Sequence, residues 1–303
     1  MSGGWRGTFT AIVTPFRGDG SVDEERLAEF VAFQLDGGVE GIVPCGTTGE
    51  GATLDENEQV RVVEIAVDGV RKATDSAGHR AKVIAGAGGN ATARVIALAK
   101  RHQAAGADAI LSVVPYYNKP CQEGLFQHFS AVADALDVPV VLYNVPGRTS
   151  ANMLADTTLR LAEHPNICAV KEASGNLVQV AEIIRTRPEG FSVLSGEDNL
   201  TWPLIALGGD GSISVVGNEV PGPMSDLVRA GLAGDGERAR ELHYRLLPLM
   251  NANFYETNPQ PVKAALAMMG KIEENFRLPL IPLSDANRPR LRAHLVELGL
   301  VSG

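Results

Sequence analysis

The sequence predicts an α/β protein, a (β/α)8 barrel with a C-terminal three-helix extension. Three observations point there. Short apolar runs rich in β-branched residues recur eight times between residues 7 and 215. They are continuous runs and not strict alternations, as parallel strands buried on both faces require. Amphipathic segments of helical length separate most of them, and beyond residue 232 the strand-like runs stop.

The first strand is "GTFTAIVTP" (7–15), followed by the amphipathic "SVDEERLAEFVAFQLDGG" with acidic residues in its first turn and glycine at its end. "VEGIVPC" (39–45) and the helix in "TLDENEQVRVVEIAVDGV" repeat the unit, as do "AKVIAGA" (81–87) and "NATARVIALAKRHQAAG". The remaining strands are "DAILSVV" (108–114), "PVVLYN" (139–144), "ICAVKE" (167–172), "FSVLSG" (191–196) and "DGSISV" (210–215). Three helices close the chain: "DGERARELHYRLLPLMNANF", "NPQPVKAALAMMG" and "DANRPRLRAHLVELG". The division expected is a catalytic barrel over 1–232 and a helical domain over 233–303. A doubly wound sheet is the rival, but no Gly-rich dinucleotide fingerprint follows the first strand.

Bulk properties exclude whole classes of function. A net charge of -9 without a Lys/Arg cluster argues against nucleic acid. Cys45, Cys121 and Cys168 are odd in number and far apart, which fits reduced thiols in a cytoplasm and no metal spacing. The six histidines form no i, i+4 pair, so a zinc site has no support. The N-terminal stretch lacks the pattern of a signal peptide, and no window is long and apolar enough for a membrane span.

Chemistry in such barrels gathers at the C-terminal ends of the strands. There the sequence places "CGTTGEG" (45–51), "PYYNKP" (115–120), "YNVPGRTS" (143–150), Lys171, "SGEDN" (195–199) and "SVVGN" (214–218). One amine, three phenols, two threonines and an arginine are thus expected on one rim. No GxSxG elbow or Ser-His-Asp set accompanies them. A strand-end lysine beside tyrosines suits Schiff-base chemistry: burial disfavours an ammonium, and the free amine attacks a keto carbon. A tyrosine hydroxyl can carry the protons. The bland readings stay open at this point. Lys171 could be solvated or paired with Glu172, the paired tyrosines could be packing, and "CGTTGEG" could be a helix-capped turn. "AGAGGN" (85–90) could cradle a phosphate or merely turn the chain. Glu197 and Asp198 in the seventh loop argue against phosphate.

The motifs "GTFTAIVTPF", "GTTGEGATL", "PYYNKP", "YNVPGRT", "KEASGN", "GSISV" and "TNPQPVK" occur in this order across nearly the whole chain. In these the chain resembles the dihydrodipicolinate synthase and N-acetylneuraminate lyase superfamily of pyruvate-dependent class I aldolases. Arg148 in "YNVPGRT" points to the synthase branch, which condenses pyruvate with aspartate semialdehyde in the diaminopimelate route to lysine. A sugar-acid aldolase or dehydratase of the same superfamily and a non-catalytic relative are the alternatives.

The resemblance implies a role for each residue. Lys171 forms the Schiff base with pyruvate, and Tyr143 is the general acid/base. Thr47 links Tyr143 to Tyr117, which reaches in from a neighbouring subunit. Thr48 holds the pyruvate carboxylate, Arg148 orients the semialdehyde, and Gly196 and the Ile213 carbonyl shape the pocket. It also implies a homotetramer, and no metal or organic cofactor, because the lysine is the electron sink. Feedback-inhibited members bind lysine at a cleft between subunits. This chain keeps Asn90 and Tyr116 there. It has Glu56 and Gln59 where some inhibited members have histidines, and Arg94 where they have an acid. Weak or absent lysine inhibition is the expectation.

Overall fold

The computed structural model describes residues 4–77 and 81–303, so the first three residues of the N-terminal stretch lie outside the described part. Eight parallel strands close into one barrel in chain order, β1 pairing with both β2 and β8. The strands are β1 (Gly7–Ala11), β2 (Gly41–Val43), β3 (Lys82–Gly86), β4 (Ala109–Val113), β5 (Val140–Asn144), β6 (Ile167–Glu172), β7 (Ser192–Ser195) and β8 (Gly211–Ser214). The helices of the barrel are α1 (Glu24–Asp36), α2 (Glu56–Ala77), α3 (Thr92–Ala104), α4 (Gln122–Asp134), α5 (Pro146–Thr149), α6 (Ala155–Ala162), α7 (Leu177–Thr186), α8 (Thr201–Ala206) and α9 (Pro221–Leu232). Beyond them lie α10 (Gly236–Ala252), α11 (Gln260–Met268) and α12 (Arg288–Glu297).

Each apolar run predicted as a strand is present, but most strands are shorter than the runs. The reasons are local. Pro44 has no N–H to extend β2. Past β1, the Val13 N–H leaves the ladder to donate to the Asn218 side chain at 3.0 Å. The run therefore marks where the strand ends and the rim loop begins.

Successive strand residues face opposite sides, and this alternation sorts the core into layers. Phe9, Ile84, Leu111, Val141, Leu194 and Ile213 fill the barrel interior. Ile42, Val83, Ile110, Leu142, Val170 and Val193 face outward against the helices. A further apolar cluster joins α9 to α10 and α12 through Leu227, Val228, Leu242, Leu246, Leu291 and Leu295. The C-terminal helices thus share a core with the barrel's own last helices.

A buried ion pair ties α11 to the loop after β2. The Lys263 ammonium donates to Glu50 Oε1 at 2.6 Å, to the Asn275 carbonyl at 2.6 Å and to the Thr14 carbonyl at 3.1 Å. Both side chains are fully excluded from solvent. Burial pushes the Glu50 carboxyl up and the Lys263 amine down, and their attraction opposes both shifts. Such a pair contributes little against an apolar replacement, but breaking it strands a charge. Lys263→Met should therefore cost about 3–5 kcal/mol in chemical denaturation, and adding Glu50→Met should recover part of that. A Lys263→Met chain as stable as the parent would show that the pair carries nothing.

Candidate active site

β5 and β6 pair in register with Tyr143 opposite Lys171 and Asn144 opposite Glu172. The alternation sends the first pair into the barrel mouth and the second toward the helices. Lys171 is only 5% exposed, and its Nζ lies 4.5 Å from the centroid of the Tyr143 ring. A lysine that surfaces at a strand end would look different, so the bland reading of Lys171 fails on burial.

Glu172 does not pair with Lys171. Its carboxylate points the other way and accepts from Asn144 Nδ2 at 3.2 Å, Gln179 Nε2 at 3.0 Å and the Ser174 N–H at 2.9 Å. Burial raises its pKa, and these donors oppose that rise. Four N–H contacts on one carboxylate hold the ends of β5 and β6 together behind the reactive pair.

Two cavities meet at this rim. The smaller, of about 60 Å³, is lined among others by Thr47, Thr48, Tyr143, Arg148, Lys171 and Gly196, and by Glu197, Phe254 and Asn258. The larger, of about 350 Å³, shares Thr47, Tyr143, Arg148 and Asn258 and extends past Gln59 and Tyr116. Gly196 is required by close approach: a Cβ there would meet the Ala173 Cβ at 2.6 Å and Lys171 Cε at 3.0 Å. Ile213 packs in the barrel interior below, and Val215, two residues on, is the one that lines the cavity. Thr48 is buried and accepts from Asn258 Nδ2 at 3.0 Å. Arg148, on α5 at the outer edge, donates to the Asn258 carbonyl at 3.4 Å.

The three phenols expected on the rim differ in where they face. Tyr143 is inside and Tyr116 borders the larger cavity, but Tyr117 is 89% exposed and lines neither cavity. The loop after β4 explains this, because Tyr117 and Lys119 both adopt positive φ and swing the tyrosine outward. Cys45, Glu50 and Ser150 share that conformation, so every non-glycine residue with positive φ among the described residues sits in a rim loop. Backbone strain collected in this way accompanies functional sites.

The open alternatives in the other loops are decided by packing. In "AGAGGN", a Cβ on Gly86 would stand 2.4 Å from the Cys45 carbonyl, and one on Gly88 2.4 Å from Val113 Cγ1. Those glycines let neighbouring loops touch. Asp198 is buried and accepts the Val215 and Val216 N–H groups at 3.0 and 2.7 Å. It fills the backbone donors that a phosphate would use in such barrels. "CGTTGEG" is more than a turn, since it supplies Thr47, Thr48 and the buried Glu50.

At the proposed regulatory cleft, Glu56 is held by Arg101 at 3.0 Å and Gln59 donates to the Gly51 and Leu54 carbonyls. Asn90 donates to the Tyr116 carbonyl at 3.2 Å, and Arg94 is exposed. The sequence reading missed Phe254 and Asn258, both supplied by the chain between α10 and α11. The polar run in "TNPQPVK", unusual just before a buried helix, was the available signal.

Comparison with known proteins agrees with this geometry. The Dihydrodipicolinate synthetase family matches residues 5–298. The 4-hydroxy-tetrahydrodipicolinate synthase of Chloroherpeton thalassium is 52% identical over 97% of this chain and 96% of its own. That of Syntrophobacter fumaroxidans is 53% identical over 98% and 100%. The structure of dihydrodipicolinate synthase from Aquifex aeolicus superposes with a TM-score of 0.93 at 45% identity, covering 99% of this chain and 100% of the other.

Gly196→Ala should leave the circular dichroism spectrum unchanged, because only the local contact is violated. Displacing the Lys171 amine by about 1 Å should lower borohydride trapping of a keto acid about a hundredfold. Trapping at the parental rate would show that the close approach is dispensable.

Proposed function

This chain belongs to the dihydrodipicolinate synthetase family, and we propose that it condenses pyruvate with L-aspartate 4-semialdehyde to 4-hydroxy-tetrahydrodipicolinate, on the diaminopimelate route to lysine. The observation that carries the reading is the Lys171 amine, buried among hydroxyls and 4.5 Å from the Tyr143 ring.

The chemistry follows from that placement. Lys171 attacks the keto carbon of pyruvate, and the carbonyl oxygen leaves as water after proton transfers that Tyr143 relays. Loss of a methyl proton from the iminium gives an enamine. Its carbon attacks the aldehyde, which takes up a proton as the new bond forms. The substrate's amine then closes the ring and displaces Lys171. Thr48, steadied by Asn258, holds the pyruvate carboxylate, and Arg148 takes the carboxylate of the semialdehyde. Gly196 leaves the space in which these groups meet.

Residues 1–232 form the catalytic unit in this reading, and 233–303 the helical unit that lends it Phe254 and Asn258. The exposed Tyr117 is presented to a neighbouring subunit, where it completes the relay through Thr47 in a homotetramer. The enzyme works in the cytoplasm and recruits no cofactor.

Borohydride reduction with pyruvate, followed by peptide mass spectrometry, should place the adduct on Lys171; absence of an adduct on any lysine would remove the proposal. Arg148→Ala should raise KM for the semialdehyde about tenfold or more and leave that for pyruvate nearly unchanged, as the loss of a charged hydrogen bond to one substrate demands. Equal effects on both would count against its assignment. At the cleft between subunits, Arg94 opposes a second cation and Glu56 is already paired. Lysine at millimolar concentration should therefore leave the steady-state rate unchanged, whereas a micromolar inhibition constant would refute this.

A further inference from the structure

Aspartate semialdehyde carries an α-ammonium as well as a carboxylate, and the reaction above cannot finish until that nitrogen loses its protons. The pocket residues assigned so far leave the ammonium without a partner. The acidic side chains around the rim narrow the choice. Lys263 holds one oxygen of Glu50, two backbone N–H groups hold one oxygen of Asp198, and Asn144, Gln179 and Ser174 hold both oxygens of Glu172; none of these three carboxylates lines the small cavity. Glu197 differs from all three. It lines the same small cavity as Lys171 and Arg148, and its carboxylate takes no hydrogen bond or ion pair among the described residues. The oxygen Oε2 lies near the loop after β6, where a Cβ on Gly175 would stand 3.7 Å from it.

We propose that Glu197 binds the α-ammonium of the semialdehyde and accepts its proton for ring closure. This rests on the substrate reading given above. Arg148 and Glu197 then hold the two charged ends of an amino-acid aldehyde in the cavity that contains Lys171. After carbon–carbon bond formation, the ammonium gives one proton to the Glu197 carboxylate. The freed lone pair forms the new C–N bond at the iminium carbon. The two protons still on that nitrogen pass to Nζ as the C–Nζ bond breaks, and Lys171 leaves as an ammonium. Burial, with Glu172 and Asp198 nearby, raises the Glu197 pKa, which suits a group that must take a proton. Lys171, Arg148 and the phenol of Tyr143 are the other titratable groups on this cavity.

The test compares two aldehydes that differ only in the amine: aspartate semialdehyde and succinate semialdehyde. Glu197→Gln keeps the size of the side chain and removes its charge. The variant should still be labelled at Lys171 by pyruvate and borohydride, which reports folding and Schiff-base formation together. Its kcat/KM for aspartate semialdehyde should fall about ten- to a hundredfold, the range for loss of a hydrogen bond to a charged group. Succinate semialdehyde should inhibit parent and variant within about twofold, since it offers Glu197 nothing to bind. Glu197→Asp should recover part of the lost activity. Equal weakening toward both aldehydes, or no change toward either, overturns the role of Glu197. Failure of the unsubstituted enzyme to form the Lys171 adduct would instead overturn the reading on which it rests.

Discussion

The period-two alternation of parallel strands, enforced by a closed barrel, is the constraint on which the site depends. At the ends of β5 and β6 it places Tyr143 and Lys171 inward and Asn144 and Glu172 outward in a single register. A slip of one residue would exchange the two pairs and leave the amine outside. The outward pair guards against that slip, because Asn144 and Gln179 reach Glu172 only in this register. An interaction on the helix side of the sheet thus fixes geometry on the reactive side. Gly196 works in the same direction, since its missing Cβ lets β7 approach the lysine stem.

A second layer of order comes from far along the chain. Asn258 bonds Thr48 across 210 residues of sequence, and Lys263 bonds Glu50 across 213. Both links end on "CGTTGEG", the loop that carries the hydroxyls of the pocket. The C-terminal helices therefore do more than cover the barrel. They clamp the loop after β2 by one neutral hydrogen bond at its buried threonine and one desolvated charge pair at its glutamate. The strained φ of Glu50 is tolerated because that pair over-determines its position.

What was legible in the sequence divides along the same line. The strands, their order and the position of Lys171 follow from local patterns, since an apolar run and its flanking turn residues lie together in the chain. Lys171 and Tyr143 sit on strands, where local pattern fixes both position and facing. Tyr117 sits in a loop, and its outward swing depends on positive φ values that no spacing rule announces. The proposed pairing of Lys171 with Glu172 failed because adjacent strand residues cannot share a face. Phe254, Asn258 and the Glu50–Lys263 pair escaped because each joins segments remote in sequence, and polar residues near a helix start read equally well as caps.

The arrangement of charge explains how an acidic protein can take in two acidic substrates. The net charge of -9 belongs mostly to its solvated surface, where counter-ions screen it. At the rim, three of the carboxylates have partners within the fold: Glu50 an ammonium, Glu172 side-chain amides and a backbone N–H, and Asp198 backbone N–H groups. None of the three lines the small cavity that holds Lys171. What remains to act on a ligand is the Lys171 amine, the Arg148 guanidinium and the Glu197 carboxylate. Two groups that attract or react with acids and one that attracts an amine match a keto acid joined to an amino-acid aldehyde. A sugar acid offers hydroxyls in place of the ammonium and would leave Glu197 desolvated without a cation. With Glu197 in the proposed role, specificity in this pocket follows from which carboxylate the fold leaves facing the cavity.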